Sequence, residues 1–190
     1  MALKLNIIIA STRPGRVGPS VARWFQQAAE EHGKFAPELV DLPEFNLPIY
    51  NEPEHPTRQL YQHAHTKAWA ASVKSADAFV FVTPEYNYGP PPSLLNALNY
   101  VYLEWNYAAA GFVSYGGISG GMRAVQAEKM TLTTLKVMPI LEGVIVPMVN
   151  QHLADGNFIP NDLHKASATA MLDELHRWTD ALQPLRAQRK

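Results

Sequence analysis

The segment ASTRPGRVGPS, residues 10–20, places hydroxyl, guanidinium and glycine groups directly after an apolar run. Its candidate binding residues are Ser11, Thr12, Arg13, Arg16, Gly18 and Ser20. Gly18 and Pro19 open the next predicted helix, whose free N–H groups would favour a phosphate. Hydroxyls and an arginine fork complete a cradle for a terminal monophosphate. The alternative is a polar loop with solvated arginines; the segment has neither a GxGxxG pattern nor a P-loop lysine.

A second segment, PEYNYGPPPSLLNALNY at residues 84–100, ends another apolar run in a rigid, aromatic connection. Its candidate residues are Pro84, Glu85, Tyr86, Asn87 and Tyr88. Prolines limit the freedom of the backbone, so the loop could offer fixed N–H and C=O groups to the edge of an isoalloxazine ring. The side chains of Tyr86 and Tyr88 can form the walls of a flat pocket for the ring. Glu85 and Asn87 can stabilise the loop or form hydrogen bonds with the edge of the ring. The alternative is a proline-stiffened helix start with surface tyrosines.

A third segment, SYGGISGGMRA at residues 114–124, follows the next apolar run. Its candidates are Ser114, Gly116 and Gly117. Paired glycines allow the backbone to approach a ligand closely or to adopt positive φ. The alternative is a flexible turn before a helix. Three such segments, each at a strand end, are much less expected by chance than any one of them.

Apolar runs and amphipathic runs alternate along the chain and predict the elements that position these segments. Strands are predicted at LKLNIIIA, APELVDL, ADAFVFVT, AAAGFVSY and ILEGVIVP. Helices are predicted at residues 19–33, 57–76, 93–105, 120–138 and 161–183. Residues 43–56 are predicted to form a loop, and the terminal run ALQPLRAQRK a solvated tail.

This alternation predicts an α/β fold, a three-layer sandwich with helices on both faces of a parallel sheet. Five strands in this length fit a flavodoxin-like sheet of order 2-1-3-4-5. Another open α/β order would give the same alternation. In the favoured order the segments after strands one, three and four converge beyond the carboxyl ends of the strands, where ligands of such sheets bind.

The composition excludes several functional classes. The chain has 190 residues, a net charge of −1 and mixed charges, which give no basic stripe for nucleic acid. It has no cysteine, so disulfide scaffolds, cysteine-ligated metals and thiol nucleophiles are excluded. Redox chemistry therefore needs a bound cofactor. With no signal-like or membrane-length apolar segment, we expect a soluble cytoplasmic protein.

Several other features favour structural interpretations. His63 and His65 lack the spacing of helical metal ligands, so no metal site is predicted, and His152 and His164 show no partner spacing. The aromatic residues 100–107 are predicted to pack in the core or between subunits. The segment 47–56 could cover a ring through Pro48–Tyr50, although a plain surface loop is favoured.

On these residues the chain resembles the NADPH-dependent FMN reductase family from about Leu3 to Pro147. STRPGR resembles that family's phosphate loop, which implies Ser11 and Arg13 at the FMN phosphate. PEYN at residues 84–87 resembles its flavin-ring loop, and SYGG at 114–117 its second ring-side loop. The following helix departs from the family's common LKNAIDW and reads LLNALNY.

The resemblance implies one flavodoxin-like FMN-binding domain over residues 1–190. It implies hydride transfer from NADPH or NADH to FMN, and from there to a quinone, free flavin or similar small acceptor. Candidate ring-binding amides are those of Tyr86, Asn87, Gly116 and Gly117, and no protein acid–base residue is expected. A homodimer or homotetramer is also expected. The alternatives are an FMN-binding electron shuttle and a flavin-binding protein without catalysis.

Overall fold

A computed structural model describes residues 2–189 and contains a five-stranded parallel sheet in the order β2-β1-β3-β4-β5. The strands are β1 Leu3–Ile9, β2 Phe35–Asp41, β3 Ala78–Pro84, β4 Ala109–Tyr115 and β5 Met138–Val146. The predicted fold class and strand order are confirmed. Every residue of β3 and β4 is buried, as expected for inner strands covered on both faces.

Five α-helices cover the two faces of the sheet. They are α1 Gly18–His32, α2 Ala64–Ser75, α3 Pro92–Asn99, α4 Met122–Thr134 and α5 Asp162–Ala187. One core lies between the sheet and α1 and α5, and a second lies between the sheet and α2, α3 and α4. A small hairpin, β6 Leu153–Ala154 and β7 Asn157–Phe158, adds to the first face and was not predicted.

Helix α1 shows how local sequence sets the bounds of an element. Pro19 stands in its first turn, where a missing N–H costs nothing. Gly33 ends it with φ 79°, a left-handed conformation that glycine adopts without strain. Val21, Phe25 and Ala29 are fully buried at helical spacing against the sheet.

The second predicted helix is shorter than expected because a buried carboxylate organises the chain before it. Glu52, only 7% exposed, accepts hydrogen bonds from the backbone N–H groups of Gln62 (2.8 Å) and His63 (3.0 Å). Gln59 has φ 53°, which interrupts a helix. As a result α2 begins at Ala64 rather than near residue 57.

The third predicted helix also ends early, at Asn99 rather than Trp105. The carboxylate of Glu104 accepts hydrogen bonds from the Tyr102 backbone N–H (3.2 Å) and the Tyr61 hydroxyl (2.9 Å). These bonds fix a compact turn in place of further helix. The expected core packing holds for Tyr100 and Trp105, both fully buried. The fourth helix likewise ends at 134 rather than 138.

The predicted solvated tail is wrong, since α5 continues to Ala187. The guanidinium of Arg186 is buried and donates hydrogen bonds to the carbonyl oxygens of Ala76 (2.6 Å), Asn106 (2.9 Å) and Trp105 (3.2 Å). Burial lowers the pKa of this group. These carbonyls lie in the connections into β3 and β4, so the tail anchors two crossovers of the sheet.

His152 and His164, whose separation in the sequence indicated no shared site, lie side by side in the structure. The rings of His152 and His164 have centroids 4.8 Å apart beside the hairpin. His164 also belongs to the capping box of α5. Its side chain accepts a hydrogen bond from the Asn161 backbone N–H, and its own backbone N–H donates to the Asn161 side chain.

Within residues 2–189, no helix combines the length and apolar character that a membrane crossing needs. Cytoplasmic location stays a prediction.

Glu128 is an unpaired acid in the core. It lies between Val125 and Leu132 on the buried stripe of α4, is 1% exposed, and neither carboxylate oxygen has a hydrogen-bond partner among the described residues. Burial raises its pKa from an ordinary value of 4.5 to about 7.

We expect Glu128→Leu to stabilise the protein more at pH 8 than at pH 4. Between pH 4.5 and about 7 the folded protein keeps a proton that the unfolded chain releases, so stability falls as the pH rises through this window and stays low above it. Urea unfolding should show a gain on the order of 2–3 kcal/mol at pH 8. Glu30→Leu on the exposed face of α1 is the control, and an equal gain in both variants would contradict the prediction.

Candidate functional site

A crevice at the carboxyl ends of β1, β3 and β4 brings the three predicted segments together. It has a volume of about 170 Å³. Its lining residues are Ser11, Arg13, Arg16, Val17, Pro84, Glu85, Tyr86, Tyr115, Gly116, Val149 and Asn150. This volume is below the roughly 300–1,000 Å³ of common small-molecule pockets, so the crevice can enclose a phosphate-sized group rather than a whole nucleotide.

The first segment is stabilised by an arginine side chain that binds other groups of the protein instead of facing solvent. Arg16 donates two hydrogen bonds to the carboxylate of Asp41, both 2.6 Å, and a third to the carbonyl oxygen of Ser11, also 2.6 Å. The bond to Asp41 raises the pKa of Arg16. Arg13 is exposed, and its side chain makes no hydrogen bond or ion pair with residues 2–189. Arg16 therefore braces the loop, and Arg13 is the guanidinium free for an anion.

Tyr115 closes the inner wall of the crevice and was missed by the sequence analysis. It is 5% exposed, and burial raises the pKa of its hydroxyl. A Cβ atom at Gly18 would lie 2.9 Å from this hydroxyl oxygen, so glycine is needed for the start of α1 to come this close. In the sequence Tyr115 is simply the last residue of an apolar strand, which hid its role.

A hydrogen bond joins the first and second segments. The hydroxyl groups of Ser11 and Tyr86 lie 2.6 Å apart, across 75 positions of sequence. Ser11 is 1% exposed. The sequence analysis placed the Tyr86 ring as a wall but did not foresee that its hydroxyl reaches the first segment.

The second segment contains a strained tight turn. The N–H of Tyr86 donates to the carbonyl of Gly89 (2.8 Å), and the N–H of Gly89 donates back (2.9 Å). Between them Asn87 has φ 49° and Tyr88 has φ 69°, two consecutive non-glycine residues in the left-handed region. The Tyr86 amide is thus used inside the turn, whereas the Asn87 amide has no partner among residues 2–189.

The carboxylate of Glu85 ties the second segment to the third. It accepts hydrogen bonds from the Ser119 hydroxyl (2.8 Å), from the Arg123 backbone N–H (3.2 Å) and from Arg123 Nε (2.6 Å). Burial alone would raise the pKa of Glu85, but these donors hold it below its usual value. The Arg123 guanidinium also lies over the Tyr88 ring, 3.8 Å from its centroid. Ser119 and Arg123 were not predicted as site residues.

The third segment uses its glycines for close packing. A Cβ at Gly120 would lie 2.5 Å from Ile145 Cγ2, and one at Gly121 would lie 2.8 Å from Ser114 Cβ. Ser114 is buried beneath this contact, and its hydroxyl has no partner in the described chain. The Gly116 N–H donates to the carbonyl of Val146 (3.2 Å), whereas no described residue accepts the Gly117 N–H.

Two predicted residues of the first segment face elsewhere. The Ser20 hydroxyl accepts the Phe158 N–H (2.5 Å), which attaches the hairpin to α1. Thr12 borders a separate groove of about 720 Å³ together with Ile49 and Leu95. The segment 47–50 also borders this groove, pinned to α3 because the Asn96 side chain donates to the Pro48 carbonyl (2.6 Å). None of residues 47–50 lines the crevice.

The donors in and beside the crevice fit a flavin mononucleotide. The Ser11 and Tyr86 hydroxyls and the free Arg13 guanidinium line the crevice and suit a phosphate. The free amides of Asn87 and Gly117 directly follow the crevice-lining residues Tyr86 and Gly116 in the chain, and they suit the polar edge of a ring.

Comparison with known proteins agrees with this geometry. A model of the family described as NADPH-dependent FMN reductase matches residues 3–151. The chain is 38% identical to an NAD(P)H-dependent FMN reductase of Schizosaccharomyces pombe, over 80% of this chain and 84% of that one. It is 29% identical to a quinone reductase of Escherichia coli, over 82% and 84%. Among solved structures, the Paracoccus denitrificans flavoenzyme FerB, an NAD(P)H:(acceptor) oxidoreductase, superposes with a TM-score of 0.75 at 17% identity, covering 95% and 98% of the two chains.

We expect Glu85→Gln to lower the free energy of unfolding by about 1–3 kcal/mol, since it weakens hydrogen bonds at a nearly buried charge. The ionised carboxylate is stabilised in the fold, so the difference from wild type should be full at neutral pH and shrink as the pH falls below the ordinary glutamate pKa. Urea unfolding at pH 7 and pH 3.5 measures both effects.

The matched control is Glu54→Gln, which removes the exposed pair between Glu54 and Arg58. Exposed pairs contribute about 0–1 kcal/mol. If both variants lose the same stability, or if the loss in Glu85→Gln does not depend on pH, the assigned role of Glu85 is wrong.

Proposed function

The chain belongs to the NADPH-dependent FMN reductase family, and from this premise we propose that it passes hydride from NADPH or NADH, through FMN, to a quinone, a free flavin or a similar small acceptor. It is an oxidoreductase of a family that uses FMN and NAD(P)H. A quinone as acceptor is supported by the likeness to a quinone reductase. The observation that carries the proposal is the crevice at which the three strand-end segments meet, lined by Ser11 and Arg13 of the first, Tyr86 of the second and Gly116 of the third.

The residues of the chain bind and orient the cofactor in this proposal. Ser11 and Arg13 hold the phosphate, with Arg16 keeping their loop in place through Asp41. The amides of Asn87 and Gly117 donate to the polar edge of the ring. When bound, FMN supplies the hydride-accepting and hydride-donating atom N5, so no protein acid–base pair is required.

The remaining predicted residues shape the site rather than touch the phosphate. Gly18 lets the start of α1 approach Tyr115. Glu85 fixes the ring-side turn to α4, and Tyr88 packs under Arg123 at the rim. Pro84 and Gly116 line the crevice.

The test is the visible spectrum of the purified protein before and after anaerobic addition of NADPH. We expect flavin absorption bands that bleach with NADPH and return when menadione is added, with catalytic oxidation of NADPH under steady-state conditions. Flavin bands without NADPH turnover would support an electron shuttle, and protein that remains colourless after incubation with FMN would overturn the proposal.

Two matched variants connect the activity to the proposed site. Arg13→Gln should raise the Kd of FMN roughly 10–100-fold, because it removes a charged donor to the phosphate. Arg177→Gln, which alters an exposed pair with Glu174 on α5, should leave the Kd unchanged.

We also propose that the protein forms a homo-oligomer through the groove beside α3. Ile49 is 90% exposed and Leu95 42% exposed, and both line that groove. The segment that carries Ile49 is held to α3 by Asn96 and by Tyr100, whose hydroxyl donates to the Pro48 carbonyl (3.0 Å). Apolar side chains presented on a rigid surface favour association with another protein surface.

Light scattering after size exclusion should give a dimer or tetramer for the wild type and a monomer for Ile49→Asp combined with Leu95→Asp. Charges in an apolar contact lose hydration without gaining partners. Leu163→Lys on α5, where the leucine is 71% exposed, is the control that should keep the wild-type mass. A monomeric wild type would contradict the proposal.

A further inference from the structure

We propose that the paired rings of His152 and His164 form a pH-sensitive contact, which keeps residues 149–158 packed onto α5 at neutral pH and releases them in mildly acidic solution. Residues 149–158, called the wall segment below, run from the crevice to the end of the β6–β7 hairpin. Release of the wall segment would speed the loss of the cofactor, a consequence that rests on the proposed function.

The wall segment meets the candidate site at its first two residues. Val149 and Asn150 line the crevice, and the Val149 N–H donates to the carbonyl oxygen of Gly116 (3.0 Å). A short 3₁₀ helix, Val149–His152, then carries the chain to the histidine pair. Movement of His152 would therefore displace a wall of the crevice, because only one residue separates it from Asn150.

The other end of the wall segment has little support of its own. The β6–β7 hairpin pairs only two residues of each strand, and an isolated hairpin is marginally stable in water. Besides the bond to Ser20, it is held by packing of the Phe158 ring. The centroid of that ring lies 5.1 Å from Trp24, 5.5 Å from His164 and 6.2 Å from His152. The fold of the hairpin thus depends on the histidine pair beneath it.

The hydrogen bonds of His164 require a neutral ring. Its Nδ1 atom accepts the Asn161 backbone N–H (3.2 Å), and a ring nitrogen that carries a proton cannot accept. His164 is 2% exposed, so protonation would place an unpaired charge in the core and break one half of the capping box. Burial first, and His152 second, lower the pKa of His164.

The groups around His164 do not offset such a charge. His152 faces it from the 3₁₀ helix and would add a second positive charge, while Trp24 of α1 and Phe158 of the hairpin face it with rings that do not titrate. No acid of the described chain pairs with His164. The charged residues nearby on these elements are all exposed: Arg23 on α1, Asp155 in the hairpin, and Asp162 and Lys165 on α5.

These surroundings set the direction of the pH dependence. Above the ordinary histidine pKa of 6.5, the packed and the released forms are both neutral and the contact is intact. Below that value the released segment takes up a proton that the packed form excludes, so release becomes more favourable as the pH falls. The equilibrium constant for release should be up to about tenfold larger at pH 5.5 than at pH 7.5.

The experiment measures hydrogen exchange of the wall segment by mass spectrometry at pH 7.5 and pH 5.5, with correction for the intrinsic exchange rates. In the wild-type apoprotein we expect protection of residues 149–158 to fall up to about tenfold at pH 5.5. In His164→Gln we expect a change below about twofold. Glutamine does not titrate, and its side-chain oxygen can still accept the hydrogen bond of the capping box.

The matched control is His176→Gln on the same helix. His176 pairs with Asp180 (3.3 Å) and lies about 18 Å along α5 from His164, at 1.5 Å of rise per residue. This variant should keep the wild-type loss of protection at pH 5.5.

The consequence for the cofactor is measured on FMN-loaded protein as the rate of flavin release, followed by recovery of flavin fluorescence. The FMN phosphate itself titrates near pH 6, so each variant is compared with the wild type at the same pH. We expect release to be equal at pH 7.5, and up to about tenfold faster in the wild type than in His164→Gln at pH 5.5.

An equal loss of protection in the wild type and His164→Gln, or no loss in either, would overturn the proposal; equal release rates at pH 5.5 would overturn its link to the cofactor. If the apoprotein responds as expected but binds no FMN, the proposed function fails and the pH-sensitive contact stands. If the protein binds FMN and oxidises NADPH without that response, this inference alone fails. Should His164→Gln not fold, NMR of the wild type decides: protonation of the His164 ring together with loss of amide protection in residues 149–158 supports the inference, and any other result overturns it.

Discussion

The parallel pairing of β1, β3 and β4 is the constraint on which the site depends. Because these strands are neighbours and run in one direction, the segments that follow them must begin at the same edge of the sheet. Pairing alone leaves the segments free to diverge beyond that edge. The hydrogen bond between Ser11 and Tyr86 joins the first two, and the carboxylate of Glu85 joins the second to α4. Backbone order thus brings the segments near, and two side-chain contacts fix their separation.

Buried ionic groups replace regular secondary structure at several points of this fold. Glu52 fixes the start of α2, Glu104 the turn after α3, and Arg186 the connections into β3 and β4. Each meets backbone groups that would otherwise lack partners, which is the usual condition for a tolerable buried charge. Glu128 has no such partners among the described residues, so its burial in the same core lowers the stability of the fold.

Periodicity and turn residues were sufficient to predict the positions of the five strands and the three segments that form the crevice, because those features depend on local sequence. The strand order was the favoured one of several orders compatible with the same alternation, and the structure confirms it. Helix ends were predicted poorly where contacts of the folded chain set them, as at Ala64 through Glu52 and at Asn99 through the bond between Tyr61 and Glu104. The roles of Tyr115 and Arg123 were missed for the same reason: one is an ordinary strand residue and the other an ordinary helix residue until the fold places them beside Gly18 and Glu85. For Arg16 the sequence suggested a role that the fold does not leave open. An arginine in this segment was predicted to bind an anionic ligand, but its guanidinium is bonded to the carboxylate of Asp41.

The contrast between the fully buried strand β3 and the exposed turn that follows it has a dynamic consequence. Amide protons in β3 should exchange with deuterium only when the whole domain opens, whereas those of Asn87 and Tyr88 should exchange through fluctuations of the turn alone. Entry and exit of a ligand at the rim can therefore proceed at a rate set by a few residues, while the hydrophobic layers behind it remain closed to solvent.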